Sequence, residues 1–160
     1  MTLKIAKILF PTDFSDLSLA ALGHARVLAT VFDAQLHCVH VVDEAYQYWA
    51  AVGPEAAAVG PATEEIADMA EAQMGRFADQ YLLGLKYAPV TKVLHGRPFK
   101  EVVKYAREFM IDIIVLATHG RGGIAGVLLG NTADKVVHSA PCPVLTVRAK
   151  EGGETPPSPE

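Results

Sequence analysis

Residues 112–148 read DIIVLATHGRGGIAGVLLGNTADKVVHSAPCPVLTVR, and the fold prediction starts from this stretch. Ile113–Ala117 is an apolar, β-branched run whose length is typical of a strand buried on both faces. After a glycine-rich loop, a helical pattern follows Asn131, which is a good N-cap, and ends before Pro141. Val144–Val147 then has the composition of a last strand. The stretch therefore predicts strand, loop, helix and strand in that order.

The loop between this strand and this helix has the composition of an anion site. Glycine lets the backbone approach a phosphate closely, and the free N–H groups at a helix start point at it. A glycine-rich loop that binds no ligand has the same composition, so both interpretations stay open. The loop lacks the Gly-Lys-Ser/Thr of a Walker A motif and the distant acidic residue of a dinucleotide fingerprint. Its glycines are Gly120, Gly122, Gly123, Gly126 and Gly130.

The rest of the chain alternates between strand and helix patterns. Strands are predicted at residues 5–11, at Leu36–Val42 and at Pro89–His95, and helices follow Ser15, begin at Thr63 and begin near Pro98. Such alternation predicts a single α/β domain with a parallel sheet and helices on both faces. The predicted inner face of the second helix comprises Ile66, Met69, Ala70, Gln73, Phe77 and Tyr81.

Length, charge and cysteine content limit the possible classes of protein. The 160 residues correspond to about one domain, and a net charge of −4 without a basic run argues against a nucleic-acid duplex as partner. Cys38 and Cys142 have neither disulfide-framework nor zinc-site spacing. The first ten residues contain Lys4 and Lys7 and do not resemble a signal peptide, and no apolar run could span a bilayer. A cytoplasmic protein is therefore expected.

Two segments have no regular pattern. Residues 44–62 contain Tyr46, Tyr48 and Trp49, which could cover a ligand or a partner subunit, or simply shield the edge of the core. Residues 150–160 are rich in glycine, proline and glutamate and are expected to form a disordered tail. The folded domain is accordingly predicted to span residues 1–149.

Three separated motifs resemble the universal stress protein family. They are Pro11-Thr12-Asp13-Phe14-Ser15, the segment from Ala117 to Asn131, and Ala140-Pro141-Cys142-Pro143-Val144. Many members bind ATP through a pattern of Gly, two residues, Gly, nine residues, Gly, and then Ser or Thr. The spacing is kept here, with Ala117 in place of the first glycine and Asn131 in place of the hydroxyl residue.

The resemblance implies a sheet of strand order 3-2-1-4-5, in which the order reverses between strands 1 and 4. Ligands bind at such a reversal, where the motifs after strands 1 and 4 meet. By resemblance, the adenine is held near Asp13 and Val41, and the phosphates lie against the glycine loop and the start of the last helix. The predicted nucleotide contacts are Pro11, Thr12, Asp13, Val41, Ala117, His119, Gly120, Arg121, Gly123, Gly130, Asn131 and Thr132.

The expected function is that of an ATP-binding regulatory protein, with Mg²⁺ as a candidate companion ion. Asp13, Asp43 and His119 do not form a convincing catalytic set, so any hydrolysis is expected to be slow. The alternative is a stress protein that binds no nucleotide and acts through protein contacts. A homodimer is expected through Val144–Val147, because this apolar edge strand would otherwise expose unpaired backbone groups.

Overall fold

The structure, a computed structural model, describes residues 3–43, 63–118 and 129–148. In these ranges strands and helices alternate as predicted, and the bounds of β4 and β5 agree with the sequence patterns. In chain order the elements are β1 (Lys7–Pro11), α1 (Asp16–Val31), β2 (Gln35–Asp43), α2 (Thr63–Tyr81), β3 (Val90–Gly96), α3 (Pro98–Glu108), β4 (Ile113–Ala117), α4 (Asn131–Ser139) and β5 (Val144–Val147).

The five strands form one parallel sheet in the order β3-β2-β1-β4-β5, which confirms the predicted fold and strand order. Central strand β1 pairs with β2 on one side and with β4 on the other, where Leu9 lies opposite Ile114. Chain segments that leave β1 therefore emerge beside those that leave β4. The strand order reverses at this point.

The two faces of the sheet carry separate cores. Ile8 and Phe10 pack on one face with α1 and α2, whereas Leu9 between them packs on the other face with α3 and α4. Successive side chains of a strand point to opposite faces, and all three of these are fully buried. Covering helices on both faces explain why β1 is a continuous apolar run.

A carboxylate joins the amino end of β1 to the start of β4. Oδ2 of Asp112 accepts the backbone N–H of Ala6 at 2.8 Å and that of Lys7 at 2.9 Å. The Lys7 ammonium donates to the carbonyl of Phe109 at 2.9 Å. The centre of the sheet is thus held by contacts between residues more than 100 positions apart in the chain.

The prediction for the buried face of α2 was wrong at one position. Met69 is 66% exposed, whereas Met74 is 2% exposed and packs in the core. Met74 lies four residues after Ala70 and three before Phe77, so it falls at the centre of the buried stripe. Met69 lies one position outside that stripe, so its side chain is exposed although it is apolar.

Both cysteines are free thiols, in agreement with the absence of a predicted disulfide. Cys38 is completely buried on β2, and burial raises the pKa of its thiol to about 12. Cys142 precedes β5 and is half-buried. Burial also raises the pKa of its thiol.

Candidate functional site

A hydroxyl network shapes the turn that follows β1. The N–H of Thr12 donates to the carbonyl of Val39 at 2.8 Å, which extends the sheet by one residue. Its hydroxyl oxygen accepts the N–H of Phe14 at 3.0 Å and lies 2.9 Å from the hydroxyl of Ser18. Ser18 in turn donates to the carbonyl of Ser15 at 2.7 Å. The buried Thr12 side chain therefore belongs to the turn.

Asp13 holds the start of α1. Its Oδ1 accepts the N–H of Ser15 at 3.0 Å and also the hydroxyl of Ser15. Ser15 is the N-cap of α1 and accepts the N–H of Ser18 at 3.3 Å. Ser15 is therefore the cap of α1, and Asp13 supports it. This arrangement fixes the Asp13 carboxylate beside the reversal of the strand order.

Phe14 adopts a backbone conformation that is uncommon for a residue with a side chain. Its φ is +62°, in the left-handed region, which costs about 1–2 kcal/mol. Its ring lies 4.4 Å from the ring of His40 and 5.4 Å from that of Phe77, measured between centroids. Packing of the aromatic ring into the α1/α2 face offsets the strain. The Asp13–Ser15 cap and the packing of the Phe14 ring therefore both hold the turn after β1 in one conformation.

His40 is a residue at the site that the sequence predictions missed. Its Nδ1 lies 2.8 Å from the carbonyl oxygen of Thr12, and because that oxygen can only accept, Nδ1 carries the proton. The neighbouring Val41 is half-buried, faces the α3/α4 side of the sheet and pairs with Leu94. A second histidine within the central part of β2, three residues after His37, was the available signal for His40.

The start of α4 lies against the end of β4. The N–H of Gly130 donates to the carbonyl of Thr118, and the N–H of Thr118 donates to Val147 of β5 at 3.0 Å. Thr118 is buried, whereas Asn131 and Thr132 are exposed. These contacts bring Ala117 and the residues Gly130 to Thr132 to the same edge of the sheet as the turn after β1.

Gly130, not Asn131, is the N-cap of α4, so that detail of the prediction was wrong. Gly130 has the extended backbone of a cap, with φ −66° and ψ 156°, and its carbonyl accepts the N–H of Asp134 at 2.9 Å. The helix therefore begins one residue earlier than its cap preference suggested, and Asn131 lies in the first turn. No side chain caps this helix start among the described residues. With respect to the described residues, the N–H groups of the first turn are therefore available to an anion.

The described residues thus assemble part of the predicted nucleotide site. Pro11 ends β1 and is followed by Thr12 and Asp13, Ala117 ends β4, and the residues from Gly130 to Thr132 begin α4 at the same edge. Val41 lies one strand away, near the end of β2. The predicted contacts His119, Gly120, Arg121 and Gly123, the segment 44–62 and the expected tail lie outside the described residues.

The chain is similar to known proteins along most of its length. The model of the universal stress protein family matches residues 4–148. The universal stress protein MJ0531 of Methanocaldococcus jannaschii is 34% identical over 142 residues, which cover 89% of this chain and 81% of the relative.

Solved structures agree with that family match. The structure of MJ0577, from the same organism, has a TM-score of 0.76 and 27% identity, and covers 92% of this chain and 98% of its own. A universal stress protein of Archaeoglobus fulgidus, solved in complex with dAMP, has a TM-score of 0.63 at 16% identity, with 91% and 98% covered. At this identity, the similarity to the Archaeoglobus fulgidus protein shows only that the two chains share a fold. None of the helices in the described ranges combines the length and hydropathy of a membrane-spanning segment.

Proposed function

The chain belongs to the universal stress protein family, and on that premise we propose that it binds an adenine nucleotide, with ATP as the expected ligand. The nucleotide would lie where the strand order reverses, and its binding would favour one conformation or assembly of a regulatory protein. One observation carries the proposal. The start of α4 has no side-chain cap among the described residues and is bonded to the end of β4, beside the turn after β1.

The start of α4 supports a phosphate position. Aligned peptide dipoles give a helix N-terminus an effective charge of about +0.5, and its first N–H groups point outward along the axis. The N-cap is a glycine, so no side chain intervenes between these donors and a ligand. Asn131 and Thr132 are exposed in the first turn and carry an amide and a hydroxyl that can donate to phosphate oxygens. Asn131 can thus supply a donor where many family members have a hydroxyl.

The turn after β1 supports a position for the nucleoside. The Asp13 carboxylate is held there by Ser15 and can accept from an exocyclic amino group or a ribose hydroxyl. The half-buried Val41 offers an apolar wall near the end of β2. An adenine nucleotide has also been seen in a protein of this fold, the dAMP complex from Archaeoglobus fulgidus.

Calorimetry with ATP, in the presence and absence of Mg²⁺, tests the proposal. We expect heat of binding and a rise in the unfolding temperature with ATP concentration, because a ligand that binds only the native state stabilises it. GTP serves as the control for base recognition and should bind more weakly. If millimolar ATP produces neither heat nor a thermal shift, the chain does not bind ATP.

A second function is favoured by the two departures from the family's ATP pattern. With Ala117 and Asn131 in place of the first glycine and the hydroxyl residue, the chain would act through protein contacts without nucleotide. Native mass spectrometry of the purified protein separates the two functions. Adenine nucleotide that co-purifies supports the first, whereas a nucleotide-free protein that also fails to bind added ATP supports the second.

The proposed assembly is a homodimer through β5. This strand lies at the edge of the sheet, where its described strand partner is β4 on one side. Leu145 is 37% exposed on it. An apolar edge strand invites pairing with another chain, and two copies related by a two-fold axis cover each other.

Substitution Leu145→Lys is expected to shift this dimer toward monomer, because a cation near a two-fold axis meets its own copy in the partner. Light scattering at micromolar concentration measures the shift. The matched control is Leu83→Lys, since Leu83 is 65% exposed after α2 and far from β5 in the chain. A wild-type monomer, or a dimer that both variants retain equally, would show that β5 is not the interface.

A further inference from the structure

An open cleft of about 710 Å³ lies between α3 and α4, on the face of the sheet opposite α1 and α2. Phe99 and Val103 provide its apolar lining, and Lys100, Lys104 and Arg107 provide its cationic lining. We call these three cations and the groove beside them the α3 cleft. All three cationic side chains are exposed.

The positive charge of the α3 cleft exceeds the negative charge that lines it. The three cations follow one another at helical spacings of four and three residues, and like charges at such spacings destabilise an isolated helix. Neither of the two ion pairs formed among the described residues involves them. The carboxylate of Glu108 also lines the cleft, but Lys135 of α4 adds a fourth cation, with its Nζ 5.0 Å from the ring centroid of Phe99. A chain with a net charge of −4 thus presents a cationic surface that complements an anionic partner.

Helix α2 carries the complementary pattern. Glu64, Asp68 and Glu71 are exposed and separated by four and three residues, the same spacing as the three cations of α3. At a rise of 1.5 Å per residue, both charged rows are about 10.5 Å long. One turn further, Gly75 lies on the same face of the helix, and a Cβ built on it meets no atom within 4 Å. We call these four residues the α2 acidic row, and its glycine leaves room for another molecule to approach.

The two rows cannot meet within one molecule. Helix α2 packs on the face of the sheet that carries α1, and α3 packs on the opposite face with α4. We propose that the α3 cleft of one molecule binds the α2 acidic row of a second copy of this chain. The contact joins two different surfaces, so it extends an assembly instead of closing a dimer. It requires neither the nucleotide nor β5.

Ionic strength provides the first test of this contact in the full chain. Exposed ion pairs are individually weak and are screened by salt, so the association is expected at low ionic strength and high protein concentration. From ~10 mM to ~1 M NaCl the Debye length falls from about 30 to about 3 Å. The weight-average mass from sedimentation equilibrium should fall over this range. A mass that does not change with salt would overturn the proposal.

Charge reversal identifies the surfaces. Lys104→Glu alone places a second carboxylate opposite Asp68, and Asp68→Lys alone places a second ammonium opposite Lys104, so each variant should lose about tenfold or more in association constant. An equimolar mixture of the two variants restores opposite charges at the contact between unlike copies and should recover association. Lys92→Glu, an exposed position on β3 with the same change in net charge as Lys104→Glu, is the control and should behave like the wild type.

Two results of this experiment would contradict the inference. One is loss of association in the Lys92→Glu control equal to that in Lys104→Glu, which would assign the effect to net charge alone. The other is a mixture that stays as dissociated as its two components, which would show that Lys104 and Asp68 do not face each other. Circular dichroism of each variant verifies that the helices are intact.

Discussion

Valine in place of Gly130 is expected to lower the affinity for ATP about a hundredfold, a loss of about 2.8 kcal/mol. Gly130 is the N-cap of α4, so its side chain would lie next to the first-turn N–H groups that are proposed to bind phosphate. A branched side chain there would keep phosphate oxygens from these donors. A charge-assisted hydrogen bond contributes about 1.5–3 kcal/mol, so the loss of one bond near the upper end of that range accounts for the expected change.

The fold is expected to tolerate this substitution. The φ of −66° and ψ of 156° at Gly130 belong to the extended region that any residue adopts. Its two backbone hydrogen bonds, to Thr118 and from Asp134, need no particular side chain. Calorimetry measures the affinity, and urea unfolding measures the stability.

A glycine in α1 provides the control for the Gly130 variant. Gly23→Val introduces the same side chain where a Cβ meets no atom within 4 Å, and it should leave ATP affinity unchanged. If Gly130→Val binds ATP as tightly as the wild type, the start of α4 is not the phosphate site.

Acid is expected to destabilise the protein through His37. This residue is 3% exposed on β2, its Nδ1 lies 2.9 Å from the hydroxyl of Tyr105, and its Nε2 has no hydrogen-bond partner in the described structure. Burial, and secondarily the charge of Lys7, lower the pKa of His37 from its ordinary value of 6.5. Below that value the unfolded chain binds a proton that the native state excludes. The free energy of unfolding should therefore fall as the pH drops below 6.5, and by at most about 1.4 kcal/mol per pH unit.

Variant His37→Gln isolates this effect, because glutamine cannot be protonated but keeps an amide that can bond to the Tyr105 hydroxyl. Urea unfolding from about pH 7 to about pH 5 should show a shallower loss of stability in the variant than in the wild type. The control His24→Gln changes an exposed histidine of α1 and should retain the wild-type slope. Equal slopes in all three proteins would mean that His37 is not responsible for the acid sensitivity.

The strands were predictable because the apolar runs of this chain are short, β-branched and bounded by prolines, glycines and helix caps. Ile113–Ala117 needed no further information, since a strand buried on both faces has a simple pattern. Val144–Val147 was recognisable as a short apolar run that follows a proline. The order 3-2-1-4-5 came from resemblance to a family, and alternation alone would have left several parallel orders open. The structure confirms it.

The errors and omissions occurred where local preference competes with neighbouring structure. Asn131 has the stronger intrinsic preference for a cap, but the Gly130 backbone is tied to Thr118 and the helix begins accordingly. The positive φ of Phe14 and the contact of His40 with the Thr12 carbonyl depend on residues from different strands and helices. A sequence pattern that describes one element at a time does not contain such contacts.

The central position of β1 has a consequence for the order of events during synthesis. Of the five strands, β1 leaves the ribosome first. Its partner β4 and the Asp112 carboxylate that holds its amino end follow about a hundred residues later. Until then, one side of β1 has unpaired backbone groups, and the face of the sheet that α3 and α4 cover still lacks α4. The nascent chain therefore passes through a long interval in which a strand with three apolar residues that the fold buries completely is open to wrong partners.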